Sequence, residues 1–310
     1  MASFGDYNRV NTNVTAMDAQ LSLNKINRDL GESRLRLSTG YKINNAEDDA
    51  AGFAIATKLK SRVAGLEQAL QNVGDAKSIL GIVEGAYGSI MDNLIEMKSL
   101  ATQGANETLG SDERGYIETQ ISALAVDIND IAKSTTYNNV ALLDGAANNA
   151  GTNTFTFQVG EGTGDTKDVG LQAVNTSTLI KGSAGAADAD LAGDGFLSIS
   201  AASADRGTLT FAANADDGTM RAFLTDIDTA IGNLNSLSNG IGISQRSLSN
   251  IEVNLTEALT ANNAAKSRIM DTDFAKEQSN SIRLQILQQT ATAALSQANM
   301  GPQAVLGFLG

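Results

Sequence analysis

Four stretches of the chain carry residues that could do chemistry. Gly160-Glu161-Gly162-Thr163-Gly164-Asp165-Thr166-Lys167 has the glycine density of a phosphate-binding loop. It lacks the Gly-Lys-Ser/Thr ending that would set a lysine on the phosphates, and a strand pattern follows where a helix is needed. A hairpin turn accounts for its glycines. Asp188, Asp190 and Asp194 begin like a calcium loop, but Ala192 takes the fifth position and Ile199 the twelfth, where a bidentate glutamate belongs. Glu47-Asp48-Asp49 offers neighbouring carboxylates. Adjacent residues on a helix do not face each other, so these acids are expected to start a helix or shape a turn. Asp271-Thr272-Asp273 reads as the N-cap of the last helix.

Composition closes most other routes. The 310 residues include no His, no Cys, no Trp and a single Pro. Imidazole bases, thiol nucleophiles and soft metal ligands are therefore absent, which removes the familiar triads, zinc sites and iron-sulfur clusters. Catalysis by carboxylates, Lys, Ser/Thr or Tyr stays open, but no constellation for it is visible. No enzyme activity, cofactor or metal is expected. With 22 Lys+Arg against 35 Asp+Glu, the net charge is −13. A nucleic acid or an anionic membrane would need a basic footprint, so the partners should be proteins. The opening Met-Ala-Ser-Phe-Gly-Asp-Tyr-Asn-Arg has no apolar core, and no cleavable secretory signal is expected.

The elements that would position any site are mostly helices. From Leu59 the apolar residues fall at Val63, Leu66, Leu70 and Val73, slip at Ala76, then continue at Leu80, Val83, Tyr87, Ile90, Leu94, Met97 and Ala101. Such alternating steps of three and four face one partner along a helix. About 45 residues at ~1.5 Å each give a rod of about 70 Å. A second helix follows, with Ile117, Ile121, Leu124, Ile128 and Ile131 on the same spacing and Ser111 as its expected N-cap. The longest unbroken heptad strip runs from Met220 through Ile227, Leu234, Ile241, Leu248, Ile251, Leu255 and Asn262 to Ile269. Ser244 and Asn262 are its polar members, read either as register-fixing seam residues or as an exposed edge.

Between the helical blocks the period changes to two. Phe155, Phe157 and Val159, then Val169, Leu171 and Ala173, predict a β-hairpin over 154–175, and Leu197/Ile199 with Leu209/Phe211 suggest a second. Asp144 to Thr219 holds ten acids and three bases, hence −7 of the total charge. This marks an exposed excursion from a helical body.

The ends are unusual. At about 100° per residue, Val10, Val14, Met17 and Leu21 share one face, while Leu23, Ile26, Leu30 and Leu37 lie on nearly the opposite one. Nothing from Leu284 to Gly310 is charged; Leu284, Leu287, Ala291, Ala294 and Ala298 make one strip, and Ile282, Ile286 and Ala293 another. Polar residues interrupt it too often for a membrane span. Ordering backbone costs ~1–2 kcal/mol per residue, whereas burying one large aliphatic returns ~1.5–3 kcal/mol. If one partner helix hides only one of two strips, a lone molecule lacks half the burial. The ends are therefore expected to be disordered in the monomer and to order among copies of the same chain, in the repeated contacts that build open helical arrays.

Residues 34–52, Arg-Leu-Arg-Leu-Ser-Thr-Gly-Tyr-Lys-Ile-Asn-Asn-Ala-Glu-Asp-Asp-Ala-Ala-Gly, resemble the N-terminal signature of bacterial flagellins. Gln285-Ile286-Leu287-Gln288-Gln289, Ala298-Asn299-Met300 and Pro302-Gln303-Ala304-Val305-Leu306 resemble their C-terminal signature, and Leu100-Ala101-Thr102-Gln103-Gly104-Ala105-Asn106 adds a third match. The likeness covers about 10–178 and 219–310.

The resemblance implies a mainly α fold of long antiparallel helices. Residues 1–44 and 270–310 would pair as an inner coiled-coil domain. Residues 45–178 and 219–269 would form a helical rod with the hairpin, and 179–218 a short exposed insertion. It implies a structural subunit polymerising with itself into the motility filament, exported unfolded through the flagellar type III apparatus. The implied partners are an export chaperone, the cap and hook-filament junction proteins, with no nucleic acid and no membrane insertion. The implied location is extracellular, in an external or a periplasmic filament. The polymer interface is expected at Val14, Met17, Leu21, Leu23, Ile26, Leu30, Leu37, Ile282, Leu284, Ile286, Leu287, Ala291, Ala294, Leu295 and Ala298. The rod seam is expected at Leu59, Val63, Leu66, Leu70, Ile117, Ile121, Leu124, Ile128, Leu248, Ile251 and Leu255. Flagellins sensed by the vertebrate Toll-like receptor carry Arg where Glu96 stands and Glu where Ser99 stands, so weak receptor activation is expected. The alternatives are a junction protein of the same superfamily and, from another class, a secreted coiled-coil adhesin.

Overall fold

A computed structural model describes residues 12–143, 152–180, 197–200, 208–211 and 217–307. In chain order its elements are α1 (Val14–Thr39), α2 (Ala50–Gly104), α3 (Ser111–Ser134), β1 (Thr136–Tyr137), β2 (Val140–Ala141), β3 (Thr152–Gln158), β4 (Thr166–Gln172), α4 (Thr176–Ile180), β5 (Leu197–Ser200), β6 (Thr208–Phe211), α5 (Asp217–Met270) and α6 (Phe274–Gly307). The class is mainly α, with three two-stranded antiparallel sheets among the described residues. Val10 and the aspartates at 188, 190 and 194 lie outside the described residues. Two compact units divide the chain, Met1–Ala64 with Leu259–Gly310, and Gly65–Ala258.

In the first unit α1 and α6 pair antiparallel. Asn13 caps α1 by accepting from the Ala16 amide at 3.0 Å, and its Nδ2 donates to the Ala298 carbonyl at 2.9 Å. At the other end Gly40, with φ +77°, ends α1 in the left-handed conformation that suits glycine, its N–H on the Arg36 carbonyl. The carboxylates near both loops close a turn and cap two helices. Asp48 Oδ2 accepts from the Asn44 and Asn45 amides, Asp49 Oδ1 from the Gly52 amide at the start of α2, and Asp273 Oδ1 from the Ala275 and Lys276 amides at the start of α6. The loop after α1 and the loop before α6 are stitched by a Tyr41–Asp271 bridge, with Lys42 N–H on the Met270 carbonyl and Thr272 N–H on the Gly40 carbonyl.

In the second unit α2 and α5 run antiparallel. Lys77 meets Glu252 at 2.8 Å, and one heptad along each helix Gln245 donates to Glu84 at 2.8 Å. Lys98 pairs with Asp228 further on. The buried face of α2 runs through Val63, Leu66, Ala69, Val73, Ala76 and Leu80 to Ala101. The phase step in the heptads therefore falls at Ala69, not Ala76. The smaller side chain occupies the seam and leaves Leu70 half-buried. In α5 the heptad strip is continuous, and Ser244 and Asn262 are half-buried members of it. α3 begins at Ser111 with Gly110 in the N-cap position and no side-chain cap. This corrects the expectation that Ser111 itself would cap. Its face Ile117, Ile121, Ala125, Ile128 and Ala132 is buried.

The glycine-rich stretch is a hairpin turn. β3 and β4 pair with Phe155 opposite Val169 and Phe157 opposite Lys167. Asp165 accepts from the Gly162 amide at 2.9 Å, while Gln158 donates to the Gly160 and Gly162 carbonyls. β5 and β6 form the second hairpin, Leu197 opposite Phe211 and Ile199 opposite Leu209. One small hairpin escaped the sequence reading. β1 and β2 turn through Asn138 and Asn139, whose φ values of 47° and 66° define the mirror-image two-residue turn that matches strand twist. The short α4 was also missed. Thr176, buried, holds it to α3 through the Ala125 carbonyl and Asn129 Oδ1.

Candidate polymer interface

The outward surface of the α1–α6 pair follows from which apolar residues the pair consumes. On α1 the buried and half-buried positions include Ala16, Ala19, Leu23, Ile26, Leu30, Ser33 and Leu37, with Asp29 and Arg36 half-buried beside them; on α6 they include Glu277, Ser281, Leu284, Gln288, Ala291, Leu295 and Ala298. Steps of three and four repeat in both helices, running in opposite directions. The Asn13–Ala298 and Asn27–Gln288 hydrogen bonds set their antiparallel register. Leu30 thereby falls opposite Leu284, and these are the most buried aliphatics of the pair, 3% and 8% exposed. Ser33 falls opposite Ser281, and both are buried; Ser33 Oγ has no hydrogen-bond partner.

The expected interface residues divide accordingly. Leu23, Ile26, Leu30, Leu37, Leu284, Ala291, Leu295 and Ala298 belong to the seam between the two helices. Val14, Met17 and Leu21 face away from it, with Met17 64% and Leu21 67% exposed. On α6, Ile282, Ile286, Leu287 and Ala294 are exposed, Ile286 at 56%. The sequence put Leu287 and Ala294 in one strip with Leu284 and Ala291. The helix turns them out, and Gln288 and Leu295 take the inward positions instead. An amide at a half-buried seam position is tolerated here because Asn27 accepts from it.

Charge is distributed unevenly over this surface. α1 carries both signs, whereas no charged residue follows Arg283. Near the base of the pair, the Asn45 and Asn44 amides hold the Asp48 carboxyl below its ordinary range against the cost of desolvation. Arg36 lowers it further from 3.8 Å. Among the described residues no group of three or more potential ligands is placed to hold a metal, and no helix is long and apolar enough to cross a membrane.

The rod-seam residues occupy the helical faces of α2, α3 and α5. Val63, Leu66, Ile117, Ile121, Ile128, Leu248 and Leu255 are buried, while Leu59, Leu70, Leu124 and Ile251 are half-buried. Glu96 and Ser99 are exposed on α2.

Paired terminal helices, heptad seams and outward apolar strips, with acids spent on caps, define a structural protein of helical assembly. Residues 10–148 match the model of the bacterial flagellin N-terminal helical region and residues 224–309 that of the C-terminal helical region. Flagellin B of Vibrio anguillarum is 31% identical across 97% of this chain and 99% of its own length, and a flagellin of Serratia marcescens 30% across the same shares. A putative flagellar hook-associated protein from Vibrio parahaemolyticus shares the fold, with TM-score 0.53 and 14% identity over 72% of this chain and all of that one. The chain belongs to the bacterial flagellin family. It is a structural subunit of the flagellar filament and not an enzyme.

Proposed function

We propose that copies of this chain meet in the filament through Val14, Met17 and Leu21 of α1 and Ile282, Ile286, Leu287 and Ala294 of α6, over a seam that each subunit closes within itself. The observation that carries this reading is the opposed placement of the strips. The pair satisfies one apolar face of each helix and leaves the other in water. Exposed apolar strips of this kind mark association sites, and a surface repeated head-to-side yields an open helical array when the rotation between copies does not close. Because the intrachain seam offers only part of the available burial, the ends are disordered in the free subunit and order on incorporation. Residues 1–44 and 270–310 act as the inner domain, and the uncharged end of α6 lines the filament channel.

The chain leaves the cell unfolded through the flagellar type III apparatus, escorted by an export chaperone. It is added beneath the cap onto hook-filament junction proteins in an extracellular filament. Seeded growth tests the reading. Purified chain added to short filament fragments should extend them to micrometre length under the electron microscope. Addition that stops after a short ring would point to a junction protein instead. Binding activity that survives deletion of both ends would point to an adhesin.

A further inference from the structure

The methionines are partitioned in a way that packing alone does not require. Met97 and Met220 are fully buried in the second unit, where Met220 packs against Gly104. Met91 and Met270 are half-buried. Among the described residues the exposed methionines are Met17 and Met300, at 64% and 60%. Both lie at the same end of the α1–α6 pair, where Asn13 reaches the Ala298 carbonyl. Met17 is one turn from Asn13, and Met300 is two residues beyond Ala298.

We propose that Met17 and Met300 form an oxidation site that is open in the free subunit and closed in the filament, so that a peroxide-class oxidant arrests assembly by converting both thioethers to sulfoxides. The inference rests on the interface reading above. Sulfur attacks one peroxide oxygen, the O–O bond breaks, and that oxygen stays on sulfur as the sulfoxide. The other oxygen leaves as water with both protons. Sulfur is oxidised by two electrons and the peroxide is reduced by two. Susceptibility follows exposure, and the product is a polar, chiral side chain where a flexible apolar one stood. A sulfoxide oxygen buried at a subunit contact without a donor opposes association, while the intrachain seam, which uses neither residue, is untouched. Thiol-driven methionine sulfoxide reductases of both stereospecificities reverse the change.

The test treats monomer and preformed filaments with hydrogen peroxide, maps sulfoxides by peptide mass spectrometry, and follows elongation on untreated seeds. In the monomer Met17 and Met300 should oxidise on the order of tenfold faster than Met97 and Met220; in filaments that preference should vanish. Elongation by oxidised monomer should fall on the order of tenfold and return after reductase treatment. The double variant M17L/M300L, whatever its own rate, should lose its response to peroxide. Equal oxidation of all four methionines in the monomer, or undiminished elongation by chains carrying both sulfoxides, would overturn the proposal while leaving the interface reading intact. Continued fast oxidation of Met17 and Met300 in filaments would overturn the proposal and also count against Met17 as a contact residue. Failure of the untreated chain to extend seeds would overturn that reading, and this site with it.

Discussion

Gln288 Nε2 donates to Asn27 Oδ1 at 2.8 Å, a side-chain hydrogen bond across 261 residues of sequence. It sets which residues of α1 and α6 meet, and therefore which do not. With Gln288 turned toward α1, Leu284 and Ala291 enter the seam while Leu287, on the next face, stays in water. Aliphatics three residues apart thus have different roles.

Leu287→Asp and Leu284→Ala should fail differently. The aspartate places a charge on the outward strip and should abolish seeded elongation. Circular dichroism and the melting of residues 65–258 should be unchanged. The alanine removes a buried side chain from the seam and should weaken the pair by about 2–3 kcal/mol, seen as a lower dissociation temperature of filaments that still form. Normal elongation by the aspartate variant would contradict the interface.

Gly52→Ala tests the start of α2. A Cβ there would press on the Asp49 carboxylate, which already accepts the Gly52 amide, and come within 2.8 Å of Ile43 Cδ1. Ile43 is fully buried, so it has little room to retreat. The expected cost is about 1–3 kcal/mol by overpacking, outweighing the higher helix propensity of alanine. It is read as a lower denaturation midpoint of the assembled protein.

Tyr87 gives the second unit an alkaline limit. Its phenol sits fully in the α2 seam, and burial pushes its pKa up to about 12 from 10.0. A raised folded-state value means full stability below pH 10. Between pH 10 and about 12 the unfolded chain releases the proton that the folded chain keeps, so stability falls as pH rises. Tyr87→Phe should remove that contribution. Melting curves of the two proteins should converge or cross over that interval, and parallel curves would count against the assignment.

Asp226 and Glu118 work in the same sense, but at acid pH. Desolvation raises both carboxyls above their ordinary values. Each therefore costs stability when ionised and recovers it as pH falls through its raised pKa. Asp226→Asn should raise the melting temperature at pH 7 and lose its advantage once the pH falls below 3.8, the carboxyl's ordinary value. An equal effect at both values would show that charge is not the cause.

Exposed Glu96 and Ser99 make the receptor expectation direct. Reporter cells bearing the vertebrate flagellin receptor should respond weakly to the chain, and the double substitution Glu96→Arg, Ser99→Glu should raise potency on the order of tenfold by restoring complementary charge. Full potency of the unaltered chain would refute the expectation.

By itself the sequence determined the long helices, the two larger hairpins, the turn role of Asp48 and the helix-start roles of Asp49 and Asp273. Each depends on residues close in the chain, through period, turn chemistry or a side chain reaching back to its own backbone. The Asn138-Asn139 hairpin was not read, because its two-residue strands are too short to show a pattern. The tertiary structure alone decided which strip of a two-faced helix is spent inside the molecule. Leu284 and Leu287 are equally apolar, and Ala69 loses to Leu70 on any hydrophobic scale. The seam is chosen by the register of a partner helix and by the space between two backbones, neither of which is encoded in local spacing.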